Sequence, residues 1–431
     1  MGGKAALFMV LGFSTIFLVF GHRFNNIVNN SVDVNSGYFL NTTAHNLAVS
    51  GANLALNEIF LDPDWKTGFS NITMNYGKIN VTVYDSSSEL KIVKSVGEIQ
   101  GVRKEILVKM KPSSFAKFAW YISNMSTKVF VTGDEIWGMF HSQTHLNIGG
   151  SPVLHGKATS LQGLNPDEKH WEKLGYNPQF NGGYQSGVDI PLPVNYQFTE
   201  QRAVAVDGVT NGGGSSVFYD TDIWLEFNSD ATITYRIGIG KDTSTYNPPV
   251  TLALTTFAPN GVVYVDKGDI YVSGTLNGKV TLVSGESSGH GHGNIYIAND
   301  IVYREEPMLP DGGGWEKNEN CTDMMAILAT NNVILMDNPN NVADKDVVIH
   351  ASIFCAQGGL KIENENIPAS GTVYIRGGVI AAKEEVLLKT NNLGELTAGY
   401  KKHVVFDERM LIEMPIQFPM TGTFEIVSWL E

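Results

Sequence analysis

The sequence predicts a mainly β protein with one long N-terminal α-helix, in which a small antiparallel sheet packs on that helix and a parallel β-helix follows. Three observations predict this class: an apolar run at Ala5–Phe20, alternating residues at about 70–115, and many short strand-like pieces from Phe118 onward. Gly, Asn, Asp or Ser bound these pieces and tolerate tight turns between coils. A β-sandwich is the alternative for the last part. The predicted domains are the apolar helix at 1–62, the meander at 63–116 and the body at 117–431.

The N-terminal run is the most apolar stretch of the chain. As a helix its sixteen residues span about 24 Å, short of the ~30 Å hydrocarbon core of a membrane. Apolar residues continue at mostly three- and four-residue steps to Phe60, so one helix is predicted to end near Pro63. A cleaved signal peptide is the alternative. However, the segment after the apolar run, GHRFNNIVNN, contains no A-x-A cleavage site. We therefore expect a retained anchor, with the body outside because Lys4 is the only basic side chain before the run.

Residues 70–115 place β-branched side chains at two-residue spacing, as strands with one buried face do. The segments ITMNYGKINVTVYD, ELKIVKSVGEIQ and VRKEILVKMK predict an antiparallel meander of three or four strands. The second half of the helix is the nearest apolar surface that can cover its inward face. The predicted inward residues are Ile79, Val81, Val83, Ile106, Val108 and Met110.

The pieces beyond Phe118 recur at spacings that suit stacked coils. Ile270 and Ile295 are 25 residues apart, and Val347 and Val373 are 26 apart, which is compatible with a coil of about that size. Residues 160–250 are interpreted as long excursions from the coils. The side chains predicted to stack in layers inside the coils are Val262, Tyr264, Ile295, Ile297, Val333, Leu335, Val373 and Ile375.

Composition favours an exported surface protein. The net charge of −14 disfavours nucleic acid and anionic lipid as partners of the body. Only 17% of residues are charged and 45 are glycine, which is typical of short strands and turns rather than of a helical cytosolic enzyme. The two cysteines, Cys321 and Cys355, either form a disulfide in an oxidising compartment or remain two separate buried thiols.

The sequence contains no recognisable catalytic or metal-binding motif, so we predict no catalytic residue, no metal and no cofactor. His141 and His145 lie in strand-like sequence, where residues four apart are roughly 13 Å from each other. The loop Gly289–Gly293 contains His290 and His292, whose metal binding would be adventitious. Acidic and basic residues in turns are the candidates for catalysis of polysaccharide cleavage, but they have no diagnostic spacing. They are Asp266, Asp269, Asp300, Arg304 and Glu305.

The N-terminal residues support a family resemblance. Gly2-Gly3-Lys4-Ala5-Ala6-Leu7-Phe8, the apolar helix and the segment TAHNLAVSGANLALNEIF at 43–60 resemble the start of type IV pilin-like proteins, most closely minor pilins. The stretch Asp134–Ser160 is loosely similar to envelope proteins that join a pilin-like stalk to a β-helical body. Together the resemblance covers about 115 N-terminal residues and scattered later coils.

The resemblance implies an assembly role for the helix. Cleavage of a leader would fall between Gly3 and Lys4, and the helix would bundle with other subunits through Leu7, Phe8, Leu11, Leu18, Val19 and Phe20. Main pilus subunits carry a Glu five residues after the cleaved Gly. This chain has Phe8 there and no acidic residue before Asp33, which fits a tip or accessory subunit better.

We therefore predict a non-enzymatic structural subunit of an extracellular pilus-like filament, or a pilus-associated surface protein. Its expected partners are copies of itself or other pilin-like subunits, with the membrane as its environment before assembly. Its location would be the cell surface, and no nucleic acid is expected. The surface ligand of the body is not identified by the sequence. The alternatives are a membrane-anchored β-helix enzyme acting on polysaccharide and a monomeric anchored adhesin.

Overall fold

A computed structural model describes residues 2–87, 90–193, 196–286, 291–342, 345–366, 369–390 and 396–431. The chain forms two compact units, one of Met1–Ser113 with Gly422–Glu431 and the other of Ser114–Thr421. The predicted class is confirmed: the protein is mainly β, with one long N-terminal helix and a small antiparallel sheet.

The first unit begins with one helix and four strands: α1 (Gly2–Leu61), β1 (Phe69–Met74), β2 (Gly77–Ser87), β3 (Leu90–Ile99) and β4 (Val102–Ser114).

The second unit begins with nine mostly short strands and a one-turn helix: β5 (Phe118–Asn124), β6 (Glu135–Trp137), β7 (Met139–Ser142), β8 (Leu146–Asn147), β9 (Val153–Leu154), β10 (Ala158–Ser160), β11 (Leu164–Asn165), α2 (Trp171–Leu174), β12 (Gln179–Phe180) and β13 (Tyr184–Ser186). After α3 (Thr199–Thr210) it continues with β14 (Val217–Tyr219), β15 (Asp222–Asn228), β16 (Thr232–Gly238), β17 (Val250–Ala253), α4 (Leu254–Phe257), β18 (Val262–Asp266), β19 (Ile270–Leu276), β20 (Lys279–Gly285), β21 (Ile295–Tyr303), β22 (Met308–Asp311), β23 (Gly314–Lys317), β24 (Met324–Ala329), β25 (Val333–Leu335), β26 (Val347–Cys355), β27 (Leu360–Ile362), β28 (Ala369–Lys383), β29 (Leu388–Thr390) and β30 (Leu396–Val405). The last strand is β31 (Met420–Leu430).

The second half of α1 packs on the small sheet. The helix ends at Leu61 because Pro63 disfavours helical backbone at Asp62, as the sequence predicts. Its buried face repeats at three- and four-residue steps and consists mostly of small residues: Ala44, Leu47, Ala48, Ala52, Ala55 and Ile59. All six inward residues predicted for the meander are buried against this face. The sequence therefore predicted both surfaces of this interface.

Two glycines let the helix and the sheet approach closely. A Cβ atom added to Gly97 on β3 would overlap the Ala44 carbonyl oxygen and lie 2.6 Å from the Ala48 nitrogen. Further along the helix, a Cβ at Gly51 would overlap the Ile79 side chain of β2. Backbone atoms cannot yield as a flexible side chain can, so position 97 has room only for hydrogen.

Replacing Gly97 by valine is expected to lower the free energy of unfolding of the first unit by about 1–3 kcal/mol, the usual cost of overpacking. Hydrogen exchange of the β3 amides would measure this loss. Gly37→Ala is the matched control, because nothing lies within 4 Å of a Cβ there and alanine favours a helix interior by about 0.5–1 kcal/mol. Unchanged protection in Gly97→Val would contradict the close packing described.

The second unit is built mainly from parallel strands that stack on each other turn by turn, with a few antiparallel pairs such as β15 and β16. In one stack Ala326 of β24 pairs with Ser352 of β26, which pairs with Gly378 of β28. The two residue pairs whose spacing the sequence analysis noted are direct neighbours on adjacent strands: Ile270 pairs with Ile295, and Val347 pairs with Val373. This large sheet is compatible with the predicted parallel β-helix, whereas a sandwich would need antiparallel sheets.

The order of the stack differs from the order of the chain. The first array of strands, β5–β13, adds to the far end of the second array, β14–β30, because Trp120 pairs with Val379 and Glu135 with His403. A strap of residues 187–193 and 196–216, which includes α3, connects β13 at one end of the stack to β14 at the other. The residues interpreted as excursions therefore include a structural connection across the whole stack.

The strap changes which side chains are internal. Leu192, Phe198 and Ala205 of the strap form an apolar cluster with Val262 and Tyr264 outside the coils. The layer prediction for Val262 and Tyr264 is therefore wrong, because their neighbours Val263 and Val265 face the interior instead. The prediction is confirmed for the other six side chains, which belong to the main core; they are Ile295, Ile297, Val333, Leu335, Val373 and Ile375.

The boundary predicted for the end of the body also needs correction. Residues Gly422–Glu431 belong to the first unit, because β31 extends the small sheet beside β4. Within the second unit the Phe115 N–H donates to the Pro419 carbonyl, so the chain enters and leaves the body at neighbouring positions. β31 then completes a five-stranded sheet.

A buried ion cluster joins the two arrays. The Lys402 ammonium lies 2.9 Å from Glu384 Oε1 and 3.8 Å from Asp134 Oδ2, and all three side chains are at most 3% exposed. Trp120 Nε1 donates to Glu384 Oε2 at 3.1 Å. Burial acts to lower the pKa of Lys402, but the two carboxylates outweigh it and the pKa is raised. The cluster thus holds residues of the first array, Trp120 and Asp134, against residues of the second.

Candidate assembly site and the surfaces of the body

The first half of α1 has no covering surface within the described residues. Every residue from Gly3 to Ser36 is exposed, which is about 51 Å of helix at 1.5 Å per residue. The helix is long and apolar enough to cross a membrane, by length and composition. The six predicted assembly residues are all more than half exposed: Leu7, Phe8, Leu11, Leu18, Val19 and Phe20. Such a surface is costly in water, so another apolar surface must bury it.

The polar interruptions in this surface are compatible with an apolar environment. The Thr15 hydroxyl donates to the Leu11 carbonyl at 3.0 Å, so it needs no partner outside the helix. Ionisable side chains lie only at the borders of the run, with Lys4 before it and His22 and Arg23 after it. Gly3 and Lys4 are exposed within α1. Cleavage between them remains a prediction.

The two cysteines are free buried thiols in this structure, so the candidate disulfide is not formed. Cys355 lies inside a strand, between Ala329 and Ala381 of the neighbouring coils. Burial raises the pKa of its thiol to about 12. Cys321 lies in the loop before β24, where its carbonyl accepts from Arg409. Burial raises the pKa of this thiol too, so neither is reactive at neutral pH.

His141 is a structural histidine. Its ring is fully buried, with Nδ1 2.8 Å from Thr159 Oγ1 and Nε2 2.8 Å from Gln143 Oε1. Burial lowers its pKa, so the ring is neutral at pH 7. Both nitrogens are engaged, which leaves neither for a metal ion.

A ladder of Asp and Asn side chains, the corner ladder, lines one turn of successive coils. Asp222 Oδ1 accepts the Asp269 N–H at 2.7 Å, Asp269 Oδ1 accepts the Asn294 N–H at 2.9 Å, and Asn294 Oδ1 accepts the Asn332 N–H at 3.3 Å. Asn332 Oδ1 accepts the N–H of Gly359 in the same way. The ladder provides acceptors for backbone N–H groups at a sharp turn. The sequence analysis did not detect it because the coils differ in length, so its members do not recur at a fixed spacing.

Backbone hydrogen bonds account for two of the four acidic candidates, Asp269 and Asp300. Asp269 is a ladder member. Its pKa is raised, mainly by burial and also by the negative charge of the nearby Asp222. Asp300 accepts the Val348 N–H at 2.8 Å. Asp266 is buried at the end of β18, whereas Arg304 and Glu305 are exposed in the turn after β21. Arg304 and Glu305 therefore share neither the burial nor the hydrogen-bond role of Asp269 and Asp300.

Among the residues that the structure describes, one group with metal-ligating atoms was missed by the sequence analysis. Oxygens of Asp222 and Asp269 and a ring nitrogen of His292 lie within 4.8 Å of one another. Their positions in the chain are far apart, so only coil stacking brings them together. The corner ladder already gives both carboxylates a structural role. Gly289 and His290 of the same loop lie outside the described residues.

Alanine at Asp269 is expected to lower the free energy of unfolding by about 1–3 kcal/mol, because the Asn294 N–H loses its acceptor in a buried turn. Asp269→Asn keeps an acceptor oxygen and should recover most of the loss. Urea unfolding would measure both variants. Glu305→Ala is the exposed control, expected within about 0.5 kcal/mol of the parent. Equal stability of Asp269→Ala and Glu305→Ala would contradict the corner ladder.

Comparison with known proteins gives little information about function. A scan against protein-family models finds no match, and a search of curated proteins finds no significant match. Among solved structures, the chain is similar to the competence-associated pilin ComZ from Thermus thermophilus. The sequence identity is 12%, the match covers 91% of this chain and 97% of that chain, and the TM-score is 0.35. A TM-score this low does not establish a common fold, so function is inferred from the geometry of this chain.

Proposed function

We propose that this protein is a non-enzymatic structural subunit of an extracellular pilus-like filament. Its partners are copies of itself or other pilin-like subunits, and the membrane holds it before assembly. The first half of α1 is the assembly element, and the second unit is the part displayed at the cell surface. The lack of an acidic residue before Asp33 fits an accessory or tip position in the filament.

One observation carries this proposal: a single helix is buried on its own sheet along one half and bare along the other. The packed half fixes the helix to a folded unit, with Ala44, Ala48 and Ala52 against the sheet. The bare half then extends from that unit as an apolar rod. Lipid and the apolar helices of other subunits can bury the same rod, so a membrane anchor can become part of a filament core.

Cross-linking in isolated filaments tests the proposal. Both native cysteines are buried, so a cysteine introduced at Leu11 would report the surroundings of the rod. We expect Leu11→Cys to yield covalent dimers with itself or with another subunit. Tyr76→Cys is the control, since Tyr76 is fully exposed in the turn between β1 and β2. Electron microscopy of the envelope fraction should show filaments that contain the protein.

Two results would overturn the proposal. One is a mature N-terminus at or beyond His22, which would mean that the run is discarded. The other is a protein that stays monomeric in the membrane without filaments, as the anchored adhesin alternative requires. The proposal contains no catalytic step. Polysaccharide cleavage that depends on Asp269, Asp300 or Glu305 would favour the enzyme alternative instead.

A further inference from the structure

We propose that the body carries a saccharide-binding groove beside β15 and β16, which takes neutral pyranose rings. This site is separate from the assembly helix and does not depend on the role proposed for it. The groove has a volume of about 430 Å³, within the range of about 300–1,000 Å³ usual for small-molecule sites. It lies on the outer side of the coils, since Ile223 and Leu225, which alternate with Trp224, face the core.

The floor of the groove is the end of an aromatic stack. Trp224, Tyr271 and Tyr296 occupy successive coils in register. Their ring centroids are 4.8 Å and 4.7 Å apart and their planes nearly parallel. Trp224 is the last ring, with Tyr271 against one side of the indole. Ala298 and Met336, both largely buried, extend this apolar floor.

The rim offers polar groups on both sides of the floor. On the neighbouring antiparallel strand Arg236 pairs with Trp224, and Glu226 lies two residues along β15. Both line the groove. Neither side chain has a hydrogen bond or ion pair to any residue that the structure describes. Asn299 and Asn340, which are exposed, complete the rim with amide donors and acceptors.

This combination matches a sugar ring better than other small ligands. A pyranose presents a face of C–H groups, which suits an indole floor, and a ring of hydroxyls, which suits carboxylate, guanidinium and amide partners. The rim carries one positive and one negative side chain, so it has no preference for a charged ligand. The net charge of −14 further disfavours acidic polysaccharides.

Titration calorimetry with the full-length protein tests the inference. The probes are cellotriose, maltotriose and triacetylchitotriose, and the detergent must lack a sugar headgroup, which would compete for the groove. We expect at least one probe to bind with a Kd of about 1 mM or tighter. Trp224→Ala and Arg236→Gln should each weaken that binding about tenfold or more. Trp224→Phe keeps an aromatic floor and should retain most of the affinity.

Two variants serve as controls. Trp171→Ala removes an indole at the other end of the body, and Arg304→Gln removes an exposed guanidinium; neither residue lines the groove. Both should bind like the parent. Arg236→Gln leaves the apolar floor intact, so it remains decisive if Trp224→Ala fails to fold. No binding of any probe at about 10 mM, or binding that Arg236→Gln leaves unchanged, would overturn the inference.

Discussion

Replacing Leu11 by aspartate is expected to abolish filament assembly and membrane retention, while the body stays folded. A carboxylate at the centre of an apolar helix costs about 2.5–3.5 kcal/mol on membrane insertion. Val19→Asp should have the same effect. Leu11 and Val19 are both exposed on the unpacked half of α1, so neither substitution removes a contact of the small sheet. Fractionation, filament yield and circular dichroism of the variants would measure the three outcomes.

Asn26→Asp is the matched control for these variants. Asn26 lies on the same exposed helix, but after the apolar run and beside His22. The same change of charge should therefore be tolerated there. If Leu11→Asp assembled as well as Asn26→Asp, the helix would not be the assembly element. If Leu11→Asp also unfolded the β-rich body, the expectation that the body folds without this apolar surface would be wrong.

Replacing Lys402 by alanine is expected to lower the free energy of unfolding of the body by about 3–5 kcal/mol. The substitution leaves the Glu384 and Asp134 carboxylates buried without their cation, and this cost exceeds the loss of a surface ion pair. Lys401→Ala is the control, on the opposite face of the same strand and only partly buried. Chemical unfolding followed by circular dichroism would compare the two. Similar midpoints would contradict the role of the cluster between the arrays.

The same lysine predicts a dependence on alkaline pH. Its folded pKa is raised, so its contribution to stability is complete below the unfolded value of about 10.4. That contribution is lost as the pH rises through the folded value. Unfolding midpoints should therefore decline in this alkaline range for the parent protein. In Lys402→Ala the part of this alkaline decline that Lys402 causes should be absent. Parallel pH profiles of the parent and the variant would show that Lys402 does not cause the decline.

The sequence predicted local structure well because local structure depends on neighbouring residues. The face of α1 that contains Ala44, Ala48 and Ala52, and the alternation of Ile79, Val81 and Val83, follow directly from helical and strand periods. The coil spacing between Val347 and Val373 was also sufficient to identify neighbouring strands. These features need only one segment, or two adjacent coils, to be recognised.

Features that depend on stacking order could not be read from the sequence. The floor of the groove combines Trp224, Ala298 and Met336, which have no sequence relation until the coils are in register. The alternation of Val262 and Tyr264 indicated a buried face correctly, but it could not distinguish the interior from the face under the strap. Likewise, the sequence of β31 resembles that of other strands of the body. Its pairing with β4 depends on the position at which the chain leaves the second unit, which the sequence does not indicate.

The non-sequential stack has a consequence for how the protein is made. Synthesis releases β5 early, but its partner on one side, β28, follows only after some 259 residues, the separation of Trp120 and Val379. Until then the newly made first array presents an open edge of unpaired backbone groups, a template for mispairing. Closing so distant a contact is slow. Loss of the last coils would therefore remove the centre of the stack, so even a late stop codon should leave an aggregation-prone product.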